Sequence, residues 1–285
     1  MKKIWLDSYP EHVPSELSDL KFNSIQEIFR YASKKFSKSV AFNNLGTNLS
    51  FKKSAFLADK FSAYLTNVLK LKKGDKVALM LPNLLTFPIS FFGSLNIGTI
   101  VININPLFKS REVKSLLTDC GAETIVILDK FLDELEPILN ETKIKNVIVC
   151  RPFDLVSFPM SIVIRTILLF KNRDNKISDD YILFNDVIRT REKLLNVSIS
   201  GNDIALLQYT GGTTGKSKAA VLTHHNLVSN IAQLQLWVKN TLTEGREIII
   251  TALPMYHIFS LTVNLLFFYR IGSKNVLITN PSDLK

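Results

Sequence analysis

Four short runs, residues 77–81 (VALML), 99–103 (TIVIN), 124–128 (TIVIL) and 146–150 (NVIVC), are apolar almost without interruption. Strands with no polar face must be covered on both sides, and that is the mark of a parallel sheet held between two layers of helices. The stretches between the runs fit that reading. Ser50 can cap a helix whose apolar positions Ala55, Ala58, Phe61, Leu65 and Val68 recur at helical spacing, and Gly74-Asp75 turns the chain into the first run. Pro82-Asn83 opens a second helix to about residue 96, Ser110 caps a third that Gly121 ends, and residues 132–139 form a fourth. Upstream, residues 40–43 and 47–49 read as a hairpin around Asn44-Leu45-Gly46. The fold class is therefore α/β, with mixed, largely parallel sheets flanked by helices. Asn83, Asn103 and Asn105 fall at strand carboxyl ends, where open α/β sheets bind ligands; turn or capping roles account for each of them as well.

One loop stands out chemically. Tyr209, Thr210, Gly211, Gly212, Thr213, Thr214, Gly215, Lys216, Ser217 and Lys218 follow the apolar Leu206-Leu207, and Ala219-Ala220-Val221-Leu222 continues directly after. The flanks have strand composition, so the loop is expected at a tight turn between two extended segments. Three glycines let backbone N–H groups approach an anion, the threonines add hydroxyl donors, and two lysines add charge. That is chemistry for holding phosphates. A Walker A loop fits poorly, because it needs four residues between its first glycine and the Gly-Lys pair. Here Gly211 has three before Gly215-Lys216, with Thr210 in the outer glycine's place, and strand rather than helix follows. A solvated Gly/Thr turn is the plain alternative.

The longer string YTGGTTGKSKAAVLTHHN, residues 209–226, resembles the phosphate-binding signature of the adenylate-forming superfamily. With MKKIWLDSYPEHVP, LKKGDKVALMLPNLL, VININPLFKSRE and ITALPMYHIFSLTVNLLFFYRIGSKNVLITNPSDL, the chain resembles bacterial long-chain fatty acyl-CoA synthetases, most weakly over 151–200. The resemblance implies the large N-terminal domain of such enzymes, truncated. Residues 1–200 would form a first α/β subdomain with a poorly defined apolar and polar connector at 151–200. Residues 201–285 would start a second one carrying the phosphate loop, incomplete at its C-terminal end.

The resemblance also implies a reaction. A long-chain fatty carboxylate attacks the α-phosphate of ATP, with Mg²⁺, to give an acyl-adenylate, and CoA then displaces AMP. An anion attacking an anion needs positioning and charge neutralisation more than proton transfer. Residues 209–220, from Tyr209 through Ala219 and Ala220, would bind the nucleotide. Lys218 would neutralise pyrophosphate as it forms, with Thr214 beside it and Lys216 auxiliary. His257, in LPMYHIF, would lie beside the carboxylate being activated, whereas His224 and His225 look like residues of a helix start. Ala219 stands where the family usually has glycine, so a site needing positive φ there would be slightly misplaced. Segments beyond Lys285 in the family supply an adenine and Mg²⁺ site, a ribose aspartate and a small domain with the adenylation lysine. No metal ligand is assigned here, and the chain alone is expected to be inactive, a binding remnant, or one half of a split enzyme. The expected partners include a homodimer mate or a complementing C-terminal chain.

Composition limits the alternatives. A hydrophobic content of 46% excludes wholesale disorder. The net charge of +10 suits ATP, CoA, carboxylates or an anionic surface, but the lysines are scattered as pairs such as Lys34-Lys35 and Lys72-Lys73, so nucleic acid is not an expected partner. Cys120 and Cys150 lie far apart with no paired motif, which argues against a disulfide scaffold and fits a reducing compartment. The only apolar run before Asp7 is the three-residue Ile4-Trp5-Leu6, so no secretory signal is expected. The apolar stretch 155–170 is broken by Pro159 and Arg165 and falls short of the ~20 residues of a spanning helix. It reads as a buried helix or one lying in a membrane interface, so the expected place is cytoplasmic, with peripheral contact on the inner face of the cytoplasmic membrane.

Overall fold

The computed structural model describes residues 3–17, 20–170, 177–210 and 218–281. Helix α1 (Ile25–Lys35) is capped by Ser24, whose hydroxyl accepts from Glu27 N–H. Strands β1 (Val40–Asn44) and β2 (Thr47–Ser50) form the expected hairpin, turned by Leu45 and Gly46, both at positive φ. Ser50 then caps α2 (Phe51–Asn67) by accepting from Lys53 N–H. The alternation continues as β3 (Lys76–Met80), α3 (Thr86–Leu95), β4 (Ile100–Asn103), α4 (Ser110–Cys120), β5 (Thr124–Leu128), α5 (Leu132–Leu135) and β6 (Asn146–Cys150). After these come α6 (Met160–Phe170), β7 (Ile182–Leu183), α7 (Phe184–Ile188), β8 (Ile204–Thr210), β9 (Lys218–Thr223), α8 (His224–Trp237), β10 (Ile248–Thr251) and β11 (Lys274–Leu277).

Seven strands pair in the order β7-β6-β5-β3-β4-β8-β9, parallel throughout except for the antiparallel β8–β9 pair. Four pair in the order β10-β11-β1-β2, with β1 parallel to β11 and antiparallel to β2. The two sheets interleave along the chain, since the first hairpin joins strands more than two hundred residues later. One apolar core lies where α1, α2 and α3 meet both sheets, and a second fills the other face of the large sheet under α4 and α5. Helices α2 and α3 approach closely at Gly93, where a Cβ would stand 2.7 Å from Phe61 Cδ1 and 3.0 Å from the Ala58 carbonyl oxygen.

Two expectations need correction, and one left open is decided. Ser110 does not cap α4: the helix already begins there, Lys109 takes the cap position, and the Glu112 carboxylate holds Lys109 N–H at 3.0 Å. The Ser110 hydroxyl and N–H instead donate to Glu134. The helix foreseen over 132–139 changes after Leu135 into a 3₁₀ segment, Glu136–Glu141, where Pro137 cannot supply a helical N–H donor. Of the two readings of the apolar run at 155–170, the buried helix falls: no residue of α6 is buried, and Ile162, Val163, Ile167, Leu169 and Phe170 are exposed. Its apolar run has the composition of a core helix, but Ser161, Ile164 and Leu168 are only partly buried and the rest of it is exposed. No helix of the described residues is long and apolar enough to cross a membrane.

Candidate functional site at the strand carboxyl ends

The flanks of the Gly/Thr-rich stretch are strands, as their composition foretold. In the β8–β9 ladder Gln208 faces Ala220, Tyr209 faces Ala219 and Thr210 faces Lys218. Gly211, Gly212, Thr213, Thr214, Gly215, Lys216 and Ser217 lie outside the described residues. Thr210 and Lys218 flank them as exposed partners in the β8–β9 pairing, so a long cationic side chain begins the strand that follows them. Ala219 sits in regular pairing and is not among the residues at positive φ, so its methyl group creates no backbone strain there. Tyr209 turns to the opposite face of the sheet and donates to the Asp119 carboxylate at the end of α4. Burial, then that hydrogen bond, pushes its phenol well above the usual range, so it stays a proton donor.

His257 comes from the second sheet. Beyond β10 the chain turns through Leu253–His257, and a helical run over 258–270 begins. The middle of that run, Leu261–Phe267, is π-helical, a geometry frequent at functional sites. His257 is exposed at the cap position; its N–H donates to the Pro254 carbonyl at 3.0 Å and its carbonyl accepts from Leu261 N–H at 2.9 Å. Two side chains of the large sheet reach this turn. Gln208 Nε2 donates to the Tyr256 carbonyl at 3.3 Å, and Asn83 bonds the backbone from Thr251 to Met255. The structure thus brings His257's turn and the Thr210–Lys218 mouth to one edge, the carboxyl ends of β3, β4 and β8, where open α/β sheets bind ligands.

Sequence reasoning passed over Gln208 and underrated Asn83. The signal for Gln208 was a polar residue at the end of an otherwise apolar strand. Asn103 adds a third amide: it is 3% exposed, and neither side-chain atom has a partner among the described residues. Asn105 has the plain turn role, with Oδ1 accepting from Leu107 N–H at 2.9 Å. His224 is likewise structural, the first residue of α8, its Nδ1 accepting from Ile25 N–H at 3.2 Å. Burial lowers its pKa to about 4. A groove of about 550 Å³ lined by Leu20, Tyr31, Lys35, Val228 and Arg270 runs between α1 and α8 and shares no residue with this edge. Among the described residues no group of three or more His, Cys, Asp or Glu side chains suits a metal ion.

The family described as AMP-binding enzyme matches residues 29–285. The long-chain-fatty-acid–CoA ligase of Salmonella typhimurium is 40% identical over 288 residues, covering all of this chain and 51% of the relative. That of Haemophilus influenzae is 38% identical over 296 residues, again covering the whole chain and 52% of the relative. Among solved structures, a long-chain-fatty-acid–CoA ligase from Archaeoglobus fulgidus superposes with a TM-score of 0.76 at 22% identity, over 95% of this chain and 50% of the other. An anthranilate–CoA ligase in complex with anthranoyl-AMP gives a TM-score of 0.76 at 24% identity, over 92% and 46%. The chain spans about half the length of the curated relatives it matches.

Proposed function

The chain belongs to the AMP-binding enzyme family, and on that premise we propose that its sheet edge takes ATP and a long-chain fatty carboxylate for acyl-adenylate formation, the step that precedes thioester formation with CoA. The observation that carries this reading is that β8, which pairs Thr210 with Lys218, also sends Gln208 to the Tyr256 carbonyl beside His257. Lys218, with the backbone and hydroxyl donors of residues 210–217, would hold the phosphates and offset the charge that builds on departing pyrophosphate. His257, exposed and fixed at a helix start, would lie beside the fatty carboxylate. Calorimetric titration of ATP into the chain tests the reading: saturable binding supports it, and a flat titration removes it. Binding without pyrophosphate release on adding fatty acid would favour the second reading, a nucleotide-binding remnant or one half of a two-chain enzyme.

Peripheral membrane contact is a separate part of the proposal and rests on the exposed apolar face of α6 together with the net charge of +10. The chain should co-sediment with vesicles containing phosphatidylglycerol, and Ile167→Asp should reduce the bound fraction by about fivefold. Equal sedimentation of the two proteins would remove α6 from any such role.

A further inference from the structure

Asn83 lies just past β3 of the large sheet, yet its side chain is spent on the smaller one. Nδ2 donates to the carbonyls of Thr251 at 2.9 Å and Leu253 at 3.0 Å, and Oδ1 accepts from Met255 N–H at 2.8 Å. The residue is 3% exposed, and its own carbonyl accepts from the Thr279 hydroxyl at 3.0 Å. A turn asparagine serves its own neighbours, as Asn105 does two residues on. Asn83's side-chain partners lie 168, 170 and 172 residues away. One planar amide offers two donors and an acceptor, and here all three are aimed at successive points of a single turn. A carboxylate would face two carbonyls with no donor, and a hydroxyl could satisfy only one of them.

Those three points are the stretch immediately before His257. Met255 is pinned by Asn83, Tyr256 by Gln208, and His257 by Pro254 and Leu261, so little backbone freedom remains where the imidazole leaves the chain. We propose that Asn83 is a positioning residue, which holds the Thr251–Met255 backbone so that His257 meets the carboxylate side of the ligand. This inference rests on the adenylation reading of the site. It separates two halves of one ligand: Asn83 holds the turn that leads to His257, and its side-chain hydrogen bonds go to Thr251, Leu253 and Met255 rather than to Lys218 or Thr210.

The test titrates ATP, and separately a hydrolysis-resistant long-chain acyl-adenylate analogue (the acyl sulfamate of adenosine), into the wild-type chain, Asn83→Ala, Asn83→Ser, His257→Ala and the Asn83→Ala/His257→Ala double variant. Asn83→Ala should weaken the analogue by about tenfold and leave ATP within about twofold. Asn83→Ser, which keeps one donor and perturbs packing least, should fall between and stands in should Asn83→Ala fail to fold. In the His257→Ala background Asn83→Ala should cost nothing further, since it acts through that imidazole. Hydrogen exchange at the Met255 amide should rise in Asn83→Ala. Equal weakening of both ligands, an unchanged analogue affinity, or additive losses in the double variant would overturn the inference and leave the adenylation reading standing. A wild-type chain that takes up no analogue would overturn that reading and the inference with it.

Discussion

Tyr269→Ala should cost the chain about 3–5 kcal/mol of unfolding free energy, the range for removing a fully buried aromatic ring. The ring lies within 4.6 Å of Phe51, 4.9 Å of Phe92, 5.4 Å of Phe29 and 5.6 Å of Phe42, centroid to centroid. Those four residues come from α2, α3, α1 and β1, so one side chain from the 258–270 helical run closes the layer between the two sheets. The hydroxyl pairs with Ser33 at 2.9 Å inside that layer. Tyr269→Phe keeps the ring and loses only this bond, and should cost about 1 kcal/mol. Urea unfolding of the three proteins reads both values. A loss below about 1 kcal/mol for Tyr269→Ala would mean that the aromatic layer does not join the sheets.

The second large effect is one of pH. His224 is fully buried, and burial lowers its pKa from 6.5 to about 4, against the opposing pull of Asp203. Between those values the folded chain binds fewer protons than the unfolded chain. His224 therefore contributes stability that is complete above pH 6.5 and is lost as the pH falls toward 4, on the order of 3 kcal/mol in all. Asp154 works in the opposite direction: burial raises its carboxyl from 3.8 to about 6, so its contribution is present at low pH and lost as the pH rises through 6. The difference between wild type and His224→Gln removes the Asp154 part, because both proteins share it. The glutamine can still accept a backbone hydrogen bond, so the variant's deficit at pH 7 should shrink by about 3 kcal/mol on going to pH 4. A deficit that stays constant across that range would show that the imidazole is not held neutral.

Local chemistry was legible in the sequence, and partnership at a distance was not. Ser50 and Thr223 cap their helices as hydroxyls before an apolar-periodic run should, and Gly121 ends α4 at φ 63°. The four apolar runs became parallel neighbours because nothing along them offers a face to water. What the sequence withheld was the joining of β1 to β11, a pairing between segments whose local patterns carry no mark of each other. Helix α6 stayed open between a buried and an interfacial reading, since an apolar run reads the same whether or not something covers it. At the site the two flanks of the Gly/Thr-rich stretch were legible as strands, because their short apolar runs leave little else. Asn83 was not, because an asparagine after a strand has the composition of a turn wherever its amide points, and only the fold reveals partners some 170 residues away.

ATP titration of the wild-type chain beside Lys218→Ala, with Lys216→Ala as a companion, tests the central claim most directly. Lys218 is fixed by strand pairing opposite Thr210, so its ammonium should meet the phosphates on binding. The account predicts saturable binding that Lys218→Ala weakens by about tenfold or more, as expected for loss of a charge-assisted hydrogen bond, with a smaller loss for Lys216→Ala. No binding to the wild-type chain, or equal binding to wild type and Lys218→Ala, would contradict it.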